Sequence, residues 1–178
     1  MAVGLLLIRL VVGLTVATHG IQKLTRRFGG HGISGTGEAF EQMGFRPGRR
    51  FAVLAGLTEL GGGLLLATGL LTPLGVAGIV GMMLAAICYV HHPHGFFVQS
   101  GGFEYPLVLA VSAAAIALTG PGRYSIDHVL GWSLSGWTWF IAAVGAGAIA
   151  AGLTGLLRLA RRETQRRTSH QLGERIAA

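Results

Sequence analysis

The chain has 178 residues, 51% of them hydrophobic and only 12% charged, with 30 glycines and a mean hydropathy of +0.59. An ordinary soluble domain carries about 25% charged residues, so these values exclude a disordered chain and an ordinary soluble enzyme, and leave a single-domain integral membrane protein. The net charge of +7 is clustered, with six of the 14 basic residues from Lys23 to Arg50 and six from Arg158 to Arg175, flanking apolar runs as membrane sidedness requires and not as a nucleic-acid groove would.

The first predicted span runs from about Ala2 to Gln22 and is interrupted by Arg9 and His19. It lacks a positive n-region and a clean cleavage site, so it reads as a retained helix. The loop Phe28 to Arg50 follows, with a short helical stretch from Glu38 to Met43. Phe40 and Met43 share a face there, which suits an interfacial helix, a lid or a partner contact. Its glycines do not read as a phosphate loop: no strand precedes them, and Glu38 and Glu41 repel phosphate. The second span is Phe51 to Leu71, with Glu59 its single charge. Thr72 is the predicted N-cap of the third, with Pro73 at its first helical position, and that span covers Leu74 to Val90. The fourth starts near Tyr105-Pro106 and stops at Gly120-Pro121-Gly122. At about 16 residues it is roughly 24 Å long, slightly short for a bilayer core. The fifth lies within Val129 to Leu157 and starts near Trp137.

Lipid offers no water to unpaired backbone groups, so each span is a helix. The predicted fold is all-α: a four-helix transmembrane bundle over residues 1–130, a fifth transmembrane helix over 131–157 and a basic cytoplasmic tail over 158–178. Gly61-Gly62-Gly63 and Gly145, Gly147, Ala151 and Gly155 provide small surfaces for close helix packing. Four spans separate the two basic clusters, which returns the chain to the same side. This parity puts the N-terminus outside and the C-terminus inside. Trp132, Trp137 and Trp139 then gather at the outer interface.

Ionisable groups inside the spans mark candidate sites. Arg9 lies roughly 10 Å from the outer face and Glu59 roughly 12 Å from the inner, so an Arg9–Glu59 pair is predicted, serving either a proton or ligand site or the helix register. Arg9, His19 and Lys23 turn toward the bundle, although Lys23 also suits snorkelling to the interface. The loop His91 to Pro106 is the densest polar segment and holds no Lys or Arg. Its phenylalanines suggest a fold back toward the membrane interface, with turns at Gly95, Gly101 and Gly102. Pro93 breaks any helical spacing of His91, His92 and His94, so no metal site is predicted. The candidate intramembrane polar or proton site is Arg9, Glu59, His19, His91 and Glu104. The candidate ligand-binding residues are Lys23, Gln22, Phe97, Gln99 and Tyr105. The single cysteine, Cys88, excludes disulfide frameworks and dithiol motifs.

Several motifs then stand in a recognisable order: Arg9-Leu10-Val11-Val12-Gly13, His19-Gly20-Ile21-Gln22-Lys23, Phe28-Gly29-Gly30, and Leu54 to Gly62 with Gly69-Leu70-Leu71-Thr72. Gly95 to Leu107 and Leu118 to Ser125 complete the series. Over about residues 4–130 the chain resembles the DoxX family of membrane proteins. That resemblance implies a four-helix membrane bundle similar to that of vitamin K epoxide reductase. It also implies quinone-linked redox, since archaeal relatives belong to thiosulfate:quinone oxidoreductase. Mycobacterial relatives belong to a membrane complex with superoxide dismutase and a sulfurtransferase. The fifth helix and basic tail lie beyond the family unit.

One cysteine cannot perform the dithiol chemistry of the epoxide reductase. The expected function is therefore a membrane subunit of a quinone-linked oxidoreductase, with quinone as ligand and no covalently bound cofactor. Lipids, and other subunits of the complex reached through residues 137–178, are the expected partners, and nucleic acid is not. The alternatives are a non-enzymatic scaffold subunit and a transporter of a small polar or anionic solute. The expected location is a bacterial inner membrane.

Overall fold

The computed structural model describes the backbone of residues 2–177 and the side chains of residues 2–161. Its long helices are α1 (Ala2–Leu24), α2 (Gly32–Gln42), α3 (Gly48–Thr68), α4 (Thr72–Ala86), α5 (Glu104–Thr119) and α7 (Trp137–Ala177), with a single turn, α6 (Ile126–Val129), before the last. No strand occurs among the described residues. Four helical stretches have the length and hydropathy to cross a bilayer: Ala2–Leu24, Gly48–Thr68, Thr72–His94 and Trp137–Arg161. The fourth predicted span is the shorter apolar helix Glu104–Thr119. This is the all-α membrane architecture expected from the hydropathy pattern. One element is longer than predicted, because α2 begins at Gly32 rather than near Glu38. Another has no marked end: α7 runs past Leu157 without a break, since Leu156 to Arg161 contains neither glycine nor proline.

Packing is set by small residues where backbones meet. α1 lies along α3 with Gly13 against Gly63 and Gly20 against Gly56. A methyl group on Gly20 would lie 2.5 Å from the Leu60 nitrogen and 2.6 Å from the Gly56 carbonyl oxygen. α4 occupies the centre and packs on α3, α5 and α7. In the core cluster its Val76, Ile79, Val80 and Met83 join Val16 of α1, Leu66 of α3 and Ile116 of α5. Gly62, Gly147 and Gly155 also sit at close contacts, whereas Gly61 and Gly145 face no neighbour within 4 Å.

At one end of α4 the helix widens into a π turn, Ile87–His91, in which the His92 amide donates to the Ile87 carbonyl. Pro93 follows and has no N–H to continue the ladder. The extra residue turns Tyr89 and His91 relative to the α-helical phase. Such π turns are frequent at functional sites.

Candidate functional site

A cavity of about 300 Å³ opens where this π turn meets α1, α2, α3 and α7. Phe51, Leu54, Ala55 and Glu59 line it from α3, and Met82, Ala85, Ala86 and Tyr89 line it from α4 and the π turn. Phe40 of α2 and Met43 and Phe45 of the following loop cover one side, and Thr154 of α7 closes another. Lys23, at the end of α1, completes the polar wall with Glu59, and His91 stands at the edge.

Lys23 Nζ lies 2.5 Å from Glu59 Oε2, and the carboxylate side chain is only 4% exposed. Among the described residues Lys23 is the hydrogen-bond partner of Glu59, and it uses Oε2 alone. Oε1 is not a sealed, unsatisfied atom, so it keeps some accessible surface, and Glu59 lines the cavity.

The pairing differs from the expected Arg9–Glu59 bridge, for a geometric reason. The contacts of Gly13 with Gly63 and Gly20 with Gly56 put Glu59 level with Ala17, about 12 Å along the axis from Arg9 at 1.5 Å per residue. Side chains also tilt toward the N-terminus of their helix. In antiparallel α1 and α3 this tilts Lys23 and Glu59 toward each other, and Arg9 away from Glu59.

Arg9 instead closes the opposite end of the bundle and is 1% exposed. Its guanidinium donates to the carbonyls of Leu66 at 3.1 Å, Ala67 at 3.0 Å and Tyr124 at 2.9 Å, and also to that of Pro121. It thereby caps the C-terminus of α3, where a cation also complements the helix dipole. Asp127, fully buried, does the complementary work on α4. Its carboxylate accepts from the Leu71 and Thr72 amides at 2.7 and 3.0 Å and from the Thr72 hydroxyl at 2.6 Å. Thr72 is therefore not the N-cap. Leu71 holds that position in a left-handed conformation, φ 45°, and a carboxylate from a distant segment supplies the acceptor. Gly69 makes the tight turn between the two helices at φ 65°.

The other predicted residues fall into two groups, which lie outside the cavity except for His91 at its edge. His19 Nδ1 lies 3.0 Å from Gln22 Oε1 and its Nε2 3.3 Å from the Tyr105 hydroxyl, while the Gln22 amide donates to the Phe28 carbonyl. This cluster ties α1 to α5 and to the first loop. Glu104 accepts from the Val98 amide at 3.0 Å, and His91 Nδ1 lies 2.6 Å from the Gly101 carbonyl oxygen. Both hold the loop between the π turn and α5, in which Phe96 packs on Phe97 and Phe103. Phe97 is 65% exposed and lies, with Gln99, away from the cavity. Of the ten predicted residues, the structure thus brings Lys23, Glu59 and His91 to the cavity.

Sequence reasoning missed three contributors. Phe45 and Tyr89 stack edge to face at 5.5 Å between ring centres. The Arg158 guanidinium lies 5.4 Å from the centre of each ring, and its Nε donates to the Met43 carbonyl at 2.7 Å. Arg158 read as the first charge of a solvated tail, yet it packs on the aromatic floor of the cavity. The remaining arginine side chains of the predicted tail, from Arg162 onward, lie outside the described residues.

A helical bundle of this length and hydropathy, clasped at one end and hollowed at the other around an ion pair, defines a polytopic membrane protein. The DoxX family model matches residues 4–92, half of the chain. The chain is also 33% identical over 128 residues to the inner membrane protein YqjF of Escherichia coli (strain K12), an alignment spanning 72% of this chain and 92% of that protein. The chain belongs to the DoxX family. No solved structure matches it. The family model ends at His92, so α5, α7 and the contacts of Thr154 and Arg158 with the cavity lie beyond it.

Proposed function

We propose that this protein is a quinone-binding membrane subunit of an oxidoreductase complex, with the cavity as its quinone site. The observation that carries this reading is an aromatic-walled cavity with one ion pair, Lys23–Glu59, in its wall, the carboxylate buried and the lysine partly exposed. Small-molecule sites are mostly apolar with few placed polar groups, and about 300 Å³ suits a single ring system.

A quinone supplies two-electron, two-proton chemistry. The residues of this chain bind and protonate. Phe45, Phe51 and Tyr89 offer faces and edges for a flat ring. Lys23 commits one of its N–H donors to Glu59 and directs the others toward a ring carbonyl. Glu59 Oε1 accepts a hydroxyl proton or returns one to the same oxygen. Adjacent donor and acceptor thus serve both oxidation states. Electrons come from a partner protein, because one cysteine supplies no dithiol.

We place the chain in the bacterial inner membrane, where its relative YqjF resides by name. The basic residues at the cavity end, including Arg26, Arg27, Arg49 and Arg50, support a cytoplasmic cavity end, N-terminus outside and C-terminus inside. Partner subunits are proposed to dock on residues 137–178.

The test is native purification in mild detergent with mass spectrometry of co-purifying proteins and extracted quinones, then thermal shifts with decylubiquinone and menadione. Stoichiometric quinone, and stabilisation lost on Ala86→Leu, which fills the cavity without touching the ion pair, are expected. Protein free of quinone and unmoved by either compound overturns the reading and directs assays to a scaffold or transport role.

A further inference from the structure

We infer that Arg158 seals the cavity from water at the basic end, and that the cavity exchanges its contents with the lipid phase between α3 and α4, so its ligands are molecules dissolved in the membrane. The inference concerns access and holds for any occupant. Its failure and that of the quinone reading are therefore separately visible.

The seal is built from three elements. The loop after α2 contributes Met43 and Phe45, the π turn contributes Tyr89, and α7 contributes Arg158. Phe45 is 7% exposed and is the hub, with Phe40 at 5.9 Å, Phe51 at 5.4 Å and Tyr89 at 5.5 Å between ring centres. Arg158 lies over both Phe45 and Tyr89, and it holds the loop by its bond to the Met43 carbonyl. The Tyr89 hydroxyl is fixed in turn, donating to the Ala151 carbonyl at 3.1 Å. It sits over Gly155, where a methyl group would lie 2.0 Å from the hydroxyl oxygen. Met43, Phe45 and Tyr89 all line the cavity, so the groups that Arg158 grips are its wall on that side.

The lipid side is different. Leu54 lines the cavity and is 57% exposed, and Val90 lines it and is 37% exposed. Leu54 belongs to α3 and Val90 to the π turn that prolongs α4. α3 and α4 are tied by their short turn at the clasp end and touch where Gly62 meets Gly75 and where Gly78 meets Thr58, so the inferred opening lies beyond these contacts, toward the cavity end. Its rim is apolar, as a portal in hydrocarbon requires. A molecule entering there meets apolar rim, then aromatic wall, then Lys23 and Glu59. That order admits an amphipath with its polar head leading.

Cysteine labelling in lipid nanodiscs tests this with the full chain. In a Cys88→Ser background, Ala86→Cys places a thiol in the cavity with little added volume. N-ethylmaleimide partitions into lipid, and a sulfonated maleimide does not. The sulfonated reagent is expected to label at least about tenfold more slowly than N-ethylmaleimide, relative to their rates on an exposed thiol. Arg158→Ala removes a charge-assisted hydrogen bond and two cation–π contacts, so labelling by the sulfonated reagent is expected to rise at least about tenfold, with the N-ethylmaleimide rate within about twofold. The unchanged N-ethylmaleimide rate shows that the bundle is intact. Where Arg158→Ala does not fold, Arg158→Gln takes its place. Equal relative rates of both reagents with Arg158 present overturn the seal, as does a sulfonated rate unmoved by either variant. Absence of labelling by N-ethylmaleimide overturns entry from lipid.

Discussion

Replacing Arg9 by alanine removes four hydrogen bonds from one buried guanidinium. The Leu66 carbonyl keeps a second donor, the Gly69 amide at 3.1 Å. The carbonyls of Ala67, Pro121 and Tyr124 do not have such a replacement among the described residues. The amide that would serve Ala67 in a continuing helix is that of Leu71, and it is bound to Asp127. Hydrogen bonds to charged groups contribute about 1.5–3 kcal/mol each, but these four act as a unit and water reaches part of the site once it loosens. The expected loss is about 3–5 kcal/mol, near the top of the range for single substitutions. Lysine has one compact ammonium and no planar fork, so Arg9→Lys is expected to recover less than half of it.

Equilibrium unfolding in mixed dodecyl maltoside and dodecyl sulfate micelles, followed by tryptophan fluorescence, reads this loss. The Trp132 amide donates to the Asp127 carbonyl, so one of the three tryptophan reporters lies beside the clasp. A loss below about 1 kcal/mol refutes the clasp as a structural element. A cycle with Glu59→Gln separates it from the alternative pairing. Sites about 12 Å apart along the axis add within about 0.5 kcal/mol, whereas a direct Arg9–Glu59 pair gives a larger coupling.

Asp127→Ala leaves the start of α4 without its acceptor and is expected to cost about 1–3 kcal/mol in the same unfolding assay; a cost near zero removes the cap from the account. Lys23→Met leaves the buried Glu59 carboxylate without its cation, at an expected cost of about 1–3 kcal/mol for this part-exposed pair, and adding Glu59→Gln recovers most of that loss. Additive losses from that pair refute their coupling. Gly20→Ala drives a methyl group into the α3 backbone and lowers the thermal midpoint, while Gly61→Ala, which meets nothing within 4 Å, is neutral or stabilising by up to about 1 kcal/mol. Equal effects at the two glycines refute the α1–α3 contact.

The spans were legible because lipid enforces a single rule over some 20 residues at a time. The start of the last helix at Trp137 and the stop of α5 before Gly120 follow from local signals that need no knowledge of neighbours. The partners of Arg9 and Glu59 were not legible in that way. Depths estimated from span ends put their alpha carbons roughly 8 Å apart in height in a core of about 30 Å, a gap an arginine side chain can bridge, yet the register is fixed by which glycines meet, and the tilt of each side chain decides which end it serves. Asp127 gave no sequence signal at all: it lies 55 residues from the amide and hydroxyl of Thr72 that it binds, in a loop whose prominent features are glycine and proline.

The cavity was hidden for a different reason. A helical wheel with 100° per residue carries Tyr89 and His91 forward in the phase of α4, but the π turn at Ile87–His91 inserts one residue and changes that phase. Pro93 announces the end of the helix, and nothing before it announces the extra residue. With the shifted phase, Tyr89 reaches Phe45, Ala151 and Arg158, and the first residue of a segment that reads as a basic tail becomes a fastening of the cavity wall. Arg158 carries a full charge next to an uncharged apolar run, and charge count alone assigns it to water. Two aromatic faces and a carbonyl provide the environment that keeps it at the cavity instead.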